Sequence, residues 1–229
     1  MKPAKKVMPI SRKGVRADNI YSVAARIMCE KGYDATSMND IAEAAGLTKA
    51  GVYHYIRGKE QLLFEIMNYA MDVVDEQVIA PTRSIADPET RLRKIVELHA
   101  RTILEGVGAV TIILEELASL APAHRRAIRA RQRSYFEFLR QTLEQVAADG
   151  KLLAVDPTVA AFSLLGIILW IPRWYRRDGK LKLERALADY CEIATNAVLR
   201  NDAARSLEAV AIPARQIETA GITLREAPA

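Results

Sequence analysis

Between Thr48 and Lys59 the chain gathers Lys49, Ala50, Gly51, Tyr53 and His54, a run of basic, small and hydrogen-bonding residues. Groups of these types recognise rather than react. Lysine and hydroxyl groups meet phosphate oxygens, and small residues let a backbone approach a base edge. Sets that break bonds are not evident. His54, His99 and His124 are scattered, and the sequence has no HxxxH, CxxC or Gly-rich phosphate loop. Glu115 and Glu116 are adjacent, but neighbours on a helix diverge by about 100° and do not face one substrate. His99 is expected to be a hydrogen-bonded packing residue. These patterns point away from an enzyme, a resident cofactor or a metal, and toward binding of DNA.

Two short helices must position that run. Ile41, Ala42, Ala45 and Leu47 give the first helix and its turn an apolar face. Ser37 caps it, with Asp40 three residues on as an acidic variant of the capping box. Gly46 supplies the left-handed residue that stops a helix. Thr48 then caps a second helix, Lys49 to about Tyr55. This is a helix-turn-helix, whose second helix can enter a DNA major groove. Such hairpins also occur in proteins that never meet nucleic acid, so charge has to decide. The net charge is +5, and residues 1–60 carry all of it, with 11 Lys and Arg against 6 Asp and Glu. A cationic head of this kind attracts phosphate without regard to sequence.

The same segment resembles the N-terminal domain of TetR-family transcriptional regulators. Gly32-Tyr33 stands where a first helix ends in a Gly-aromatic pair, followed by Thr36-Ser37 and Ile41-Ala42; Tyr53-His54-Tyr55 and Lys59-Glu60 follow at the family's spacing. Ala50-Gly51 departs from the usual Gly then Ser or Thr, and Ile56 replaces a common Phe. The resemblance covers about residues 16–76. It implies that Lys49, Ala50, Gly51 and His54 face the groove, and that Thr36, Ser37, Thr48, Tyr53 and Lys59 lie at the phosphates. A double-stranded operator and a homodimer are the implied partners.

The rest of the chain is expected to be all-α, about nine helices in total. Residues 1–15 are expected to be a mobile basic arm, 16–76 the DNA-binding domain, 77–200 a body for effector binding and dimerisation, and 201–229 a tail. Ile20, Val23, Ala24, Ile27 and Met28 mark a first helix from about Arg16, with Cys29 packed beside that stripe. A linking helix runs to about Ile79 and stops before Pro81. Pro88 opens another helix, and residues 109–120 form a short apolar one. Further helices are expected from Pro122 to about Asp149, over 156–177 with a kink at Pro172, and over 183–199. No apolar stretch follows the basic N-terminus, which speaks against a secretory signal. Cys29 and Cys191 lie in different units, fitting a reducing cytoplasm. The apolar run from Val159 to Pro172 is shorter than the roughly 20 residues of a membrane span, so no membrane is expected. By resemblance, the last two helices form the dimer interface.

Both tryptophans fall in Leu169–Gly179, beside Pro172 and three arginines. Trp170, Arg173 and Trp174 suit a ligand with an apolar body and an anionic end; the competing reading is dimer packing beside solvated arginines. Tyr69 and Phe136 complete the candidate effector residues. The segment is similar to that of a TetR subgroup that regulates lipid and sterol catabolism in response to acyl-CoA thioesters. The expectation is a ligand-responsive repressor released by a small molecule, an acyl-CoA first among them. The alternative is a DNA-binding regulator or chromosome-upkeep protein with no small-molecule input.

Overall fold

The computed structural model describes residues 12–105 and 116–200, with side chains from residue 20 onward except those of 54 and 55. Most of the expected basic arm, the apolar helix up to residue 115 and the tail from 201 lie outside the described residues. The described elements are α1 (Arg12–Lys31), α2 (Met38–Ala44), α3 (Lys49–Tyr55), α4 (Lys59–Val74), α5 (Pro88–Leu104), α6 (Pro122–Ala148), α7 (Pro157–Leu169), α8 (Ile171–Trp174) and α9 (Leu183–Asn196). The fold is all-α. Helix α1 starts at Arg12, so the last residues of the expected arm are helical.

The head forms because four helices each supply an apolar stripe. Ile20, Ala24 and Met28 of α1 pack with Ile41 and Ala42 of α2, Val52 of α3, Ile56, and Leu62, Leu63 and Ile66 of α4. Each fully buried branched side chain here contributes about 1.5–3 kcal/mol. Cys29, expected beside the stripe, is exposed.

Helix α4 serves two cores. Its first turns bury Leu62, Leu63 and Ile66 in the head, and its later turns bury Ala70, Met71 and Val74 against the body. Pro81 does not stop the helix. A widened turn over Asp75–Ile79, in which Ala80 N–H bonds to Asp75 O, carries the chain on through Ala80–Thr82. The extra residue relaxes the spacing at which a proline ring would otherwise clash with the preceding turn.

In the body α5 packs against α6, α7 and α9. Asp87 caps α5 through Thr90 N–H, and Asp156 caps α7 through Thr158 N–H, each just before a proline. Pro172 breaks the expected helix rather than kinking it. Helix α7 ends at Leu169, α8 restarts at Ile171, and Tyr175 is extended. A proline there has no N–H for the Ile168 carbonyl and crowds it. The segment Pro157–Trp174 is apolar enough to be weighed as a membrane span, with mean hydropathy 1.3 over 18 residues. The break at Trp170 and the packing of Ala160, Ala161, Leu164 and Ile168 into the body assign it instead to this fold.

Candidate nucleic-acid interface and ligand cavity

The turn between α2 and α3 is closed by two hydrogen bonds, Leu47 N–H to Ala42 O at 2.8 Å and Gly46 N–H to Glu43 O at 3.1 Å. That pairing needs a left-handed residue, and Gly46 supplies it with φ +65°. Ser37 and Asp40 close a full capping box on α2. Thr48 accepts from Gly51 N–H at 3.0 Å and so starts α3. The result presents Lys49, Ala50 and Tyr53 to solvent, with Gly51 half-buried among them and Val52 fully buried behind. A β-carbon at Gly51 would lie 3.2 Å from Thr48 Oγ1, so a larger residue would crowd the cap.

Two expected phosphate contacts are placed otherwise. Thr36 is buried and its hydroxyl donates to Gly32 O at 2.7 Å, so it has no surface to offer. Lys59 donates to Asp34 O at 3.0 Å and sits 4.3 Å from the Tyr33 ring centroid. It ties the α1–α2 loop to the start of α4. Ser37 and Thr48 are exposed at their caps, and the side chain of His54 lies outside the described residues.

The head is joined to the body at two points along α4. Glu60 accepts from Ala121 N–H at 2.8 Å and pairs with His124 Nδ1 at 3.0 Å, while the His124 ring stacks on Phe64 at 3.9 Å. Burial of Glu60 works to raise its pKa, but Ala121 and His124 outweigh it and the net shift is downward. Further along, Arg131 of α6 reaches both Asp72 and Asp75 at 2.6 Å.

Beyond that joint lies a cavity of about 490 Å³, a volume within the usual range for ligand pockets. Ala70, Met71 and Val74 form one wall, Phe136 another, and Phe162, Leu165 and Leu169 of α7 a third. Arg133 and Gln132 border it, with His99 and Tyr135 as its buried polar members, 2% and 6% exposed. Of the expected effector residues only Phe136 lines this space. Tyr69 does not border it. Trp170 is 62% exposed with Arg173 over its ring, and Trp174 stacks on Tyr190 at 5.9 Å, so the tryptophan cluster packs on α9 and faces outward. The residues that line this cavity were visible in the sequence as the apolar run of α7 and the aromatic pair Tyr135 and Phe136 of α6.

On α6, Glu137 pairs with Arg140 at 2.9 Å. Arg126, Arg129 and Arg133 are exposed and make no ion pair among the described residues. At positions i, i+3 and i+7 they share one face of α6.

Burial pushes the His99 imidazole from 6.5 down to about 4. The unfolded chain therefore binds this proton near pH 6.5 and the folded protein only near pH 4. The stability due to His99 is complete above about 6.5 and is lost as pH falls toward 4. Acidification from pH 7 to pH 5 should cost about 2 kcal/mol from this group, read by urea unfolding at each pH. The slope should shrink by that amount in His99→Phe; an unchanged slope would mean the ring is not buried neutral.

Comparison with known proteins decides the family. Residues 20–66 match the family described as bacterial regulatory proteins, tetR family, and residues 86–198 match the tetracyclin repressor-like C-terminal domain. The chain belongs to the TetR family of transcriptional regulators. A solved structure of a TetR-like fold, AibR in complex with isovaleryl coenzyme A and operator DNA, is 43% identical, covering 78% of this chain and 97% of that one, with a TM-score of 0.72. The TetR-family regulator PfmR from Thermus thermophilus is 33% identical over 77% of this chain and 96% of its own, with a TM-score of 0.69. The transcriptional repressor KstR2 of Rhodococcus jostii (strain RHA1) is 27% identical over 185 residues, 80% of this chain and 91% of KstR2. PfmR and KstR2 are transcriptional regulators by name, not enzymes, and the head described above is the family's DNA-binding domain.

Proposed function

We propose that this regulator is a dimeric, cytoplasmic repressor that holds a palindromic operator and leaves it when an acyl-CoA enters the cavity. Lys49, Ala50 and Gly51 are the groove-facing group, with Ser37, Thr48 and Tyr53 beside the phosphates. One observation carries the regulatory part. The same helix, α4, begins at the head with Lys59 and Glu60 and ends as a cavity wall with Ala70, Met71 and Val74. At 16 residues it is about 24 Å long, stiff enough to move the head when its far end is displaced. A ligand between α4 and α7 favours the head spacing that gives it room, and successive major grooves accept only one spacing.

The chemistry of the cavity suits the ligand class. Apolar walls take an acyl chain, and the arginines on α6 extend from Arg133 at the cavity for about 10 Å, within reach of phosphates. AibR, a relative with this fold, was solved with isovaleryl coenzyme A and operator DNA.

The test uses DNA fragments selected from the genome by the purified protein. Saturating isovaleryl-CoA should weaken binding to them by roughly 5–150-fold, the usual range of coupling between sites. At 100 times its Kd it should also stabilise the protein by about 2.7 kcal/mol. Leu165→Trp, which fills the cavity, should abolish both effects. If neither isovaleryl-CoA nor longer acyl-CoAs shift melting or release DNA, the ligand reading fails and a regulator without small-molecule input stands.

A further inference from the structure

The cavity is apolar almost throughout, which makes its buried polar pair informative. His99 comes from α5 and Tyr135 from α6, and both are more than nine-tenths buried. Tyr135 Oη lies 2.8 Å from His99 Nδ1, with the rings edge to face at 5.2 Å. His99 Nε2 makes no hydrogen bond among the described residues, yet no buried side-chain nitrogen or oxygen there is sealed away without a partner. The ring lines the cavity, so the cavity is the space that Nε2 faces.

The Nδ1 bond sets the tautomer. If Tyr135 O–H donates to Nδ1, the tyrosine donor is satisfied and the imidazole proton sits on Nε2. In the opposite arrangement Nδ1–H donates to Tyr135, and the tyrosine O–H is left with no acceptor among the described residues. Each arrangement leaves one donor over; in the first it is Nε2–H, beside the cavity, so an acceptor bound there selects the first arrangement. Burial keeps the imidazole uncharged at neutral pH. A neutral N–H then points into an apolar chamber and calls for a neutral acceptor on the ligand.

We propose that His99, held by Tyr135, selects the effector by donating from Nε2 to the thioester carbonyl oxygen of the bound acyl-CoA. This rests on the acyl-CoA reading and adds which atom is read. The cavity is larger than a short acyl chain requires, so the thioester enters with it. The carbonyl is the first polar atom after the apolar chain. Of the cavity's other polar members, Gln132 and Arg133 lie toward the solvent-exposed side of α6, and Glu137 is engaged with Arg140. Specificity then follows from the penalty for leaving a buried donor unmet, which discriminates more sharply than apolar contact does.

The experiment compares two probes by calorimetry on the full chain: isovaleryl-CoA and its thioether analogue, S-(3-methylbutyl)-CoA, which lacks only the carbonyl oxygen. The wild-type protein should prefer the thioester by about tenfold or more. His99→Phe should close that gap. Tyr135→Phe, which frees the tautomer, should narrow it, and His99→Gln, which keeps an N–H donor, should restore part of it. Equal wild-type affinity for the two probes overturns the proposal and leaves the acyl-CoA reading standing. Failure of both probes to bind overturns both. A preference that survives His99→Phe assigns the carbonyl to another donor and overturns the role of His99. Should His99→Phe fail to fold, the wild-type comparison and His99→Gln still decide.

Discussion

Ile193→Asp is expected to turn a dimer into a folded monomer and to lower affinity for a palindromic operator by about 10²–10⁴, the gain that linking two binding modules provides. Ile193 on α9 is 63% exposed, and Val159 on α7 is 57% exposed. Phe162, Ser163, Gly166 and Trp170 continue the exposed face of α7 at i+3, i+4, i+7 and i+11 from Val159. The opposite face, Ala160, Ala161, Leu164 and Ile168, is buried in the body. A contiguous apolar surface on two packed helices marks an interface, where scattered exposed residues would not. Two-fold symmetry places the new carboxylate in the interface twice, and each would be buried without a partner. Sedimentation velocity at micromolar concentration checks the state, and circular dichroism checks the fold. A variant that stays dimeric with unchanged operator affinity moves the interface off α9. Ala194 would be the wrong position for this test. It is fully buried among the side chains of its own body, so a charge there would unfold the chain before it could report on a partner.

Lys49→Glu is expected to weaken operator binding by at least about 3 kcal/mol, since it removes a cation from the reading helix and places an anion beside phosphates. The dependence of log K on log salt should flatten by about 1 or more per head. Lys49 is exposed at the first position of α3, behind which Val52 and Ile56 anchor the helix in the head. The fold therefore has little reason to suffer. Lys59→Ala is the contrasting case. Its ammonium is committed to Asp34 O and the Tyr33 ring, so its loss should lower melting by a few degrees and leave the salt dependence of operator binding near that of the wild type. Salt titration by fluorescence anisotropy, run on operator and random duplexes, separates the two. Wild-type operator affinity in Lys49→Glu would remove α3 from the groove.

The head was legible in the sequence because its determinants are local. Ser37 with Asp40, Gly46 and Thr48 each act within four residues, and a capping box, a left-handed glycine and a hydroxyl cap do not depend on distant partners. The stripes of α1, α2, α5 and α6 were legible for the same reason, since helical period alone aligns them. What each polar side chain touches was not. Thr36 and Lys59 have the residue types of phosphate ligands, but a carbonyl at Gly32 and another at Asp34 claim them first. Tertiary structure also decided the cavity. Trp170 and Trp174 are the conspicuous aromatics, yet the break before Pro172 turns them outward, while His99, Tyr135 and Phe162 converge from α5, α6 and α7. An apolar helix such as α7 must be covered on all sides, and periodicity cannot say which side meets the body, which a ligand and which another subunit. Composition and spacing determined that this chain is an all-α reader of DNA; only the packing of α4 against α6, and of α5 against α6 and α7, decided where the cavity lies and which helix joins its wall to the head.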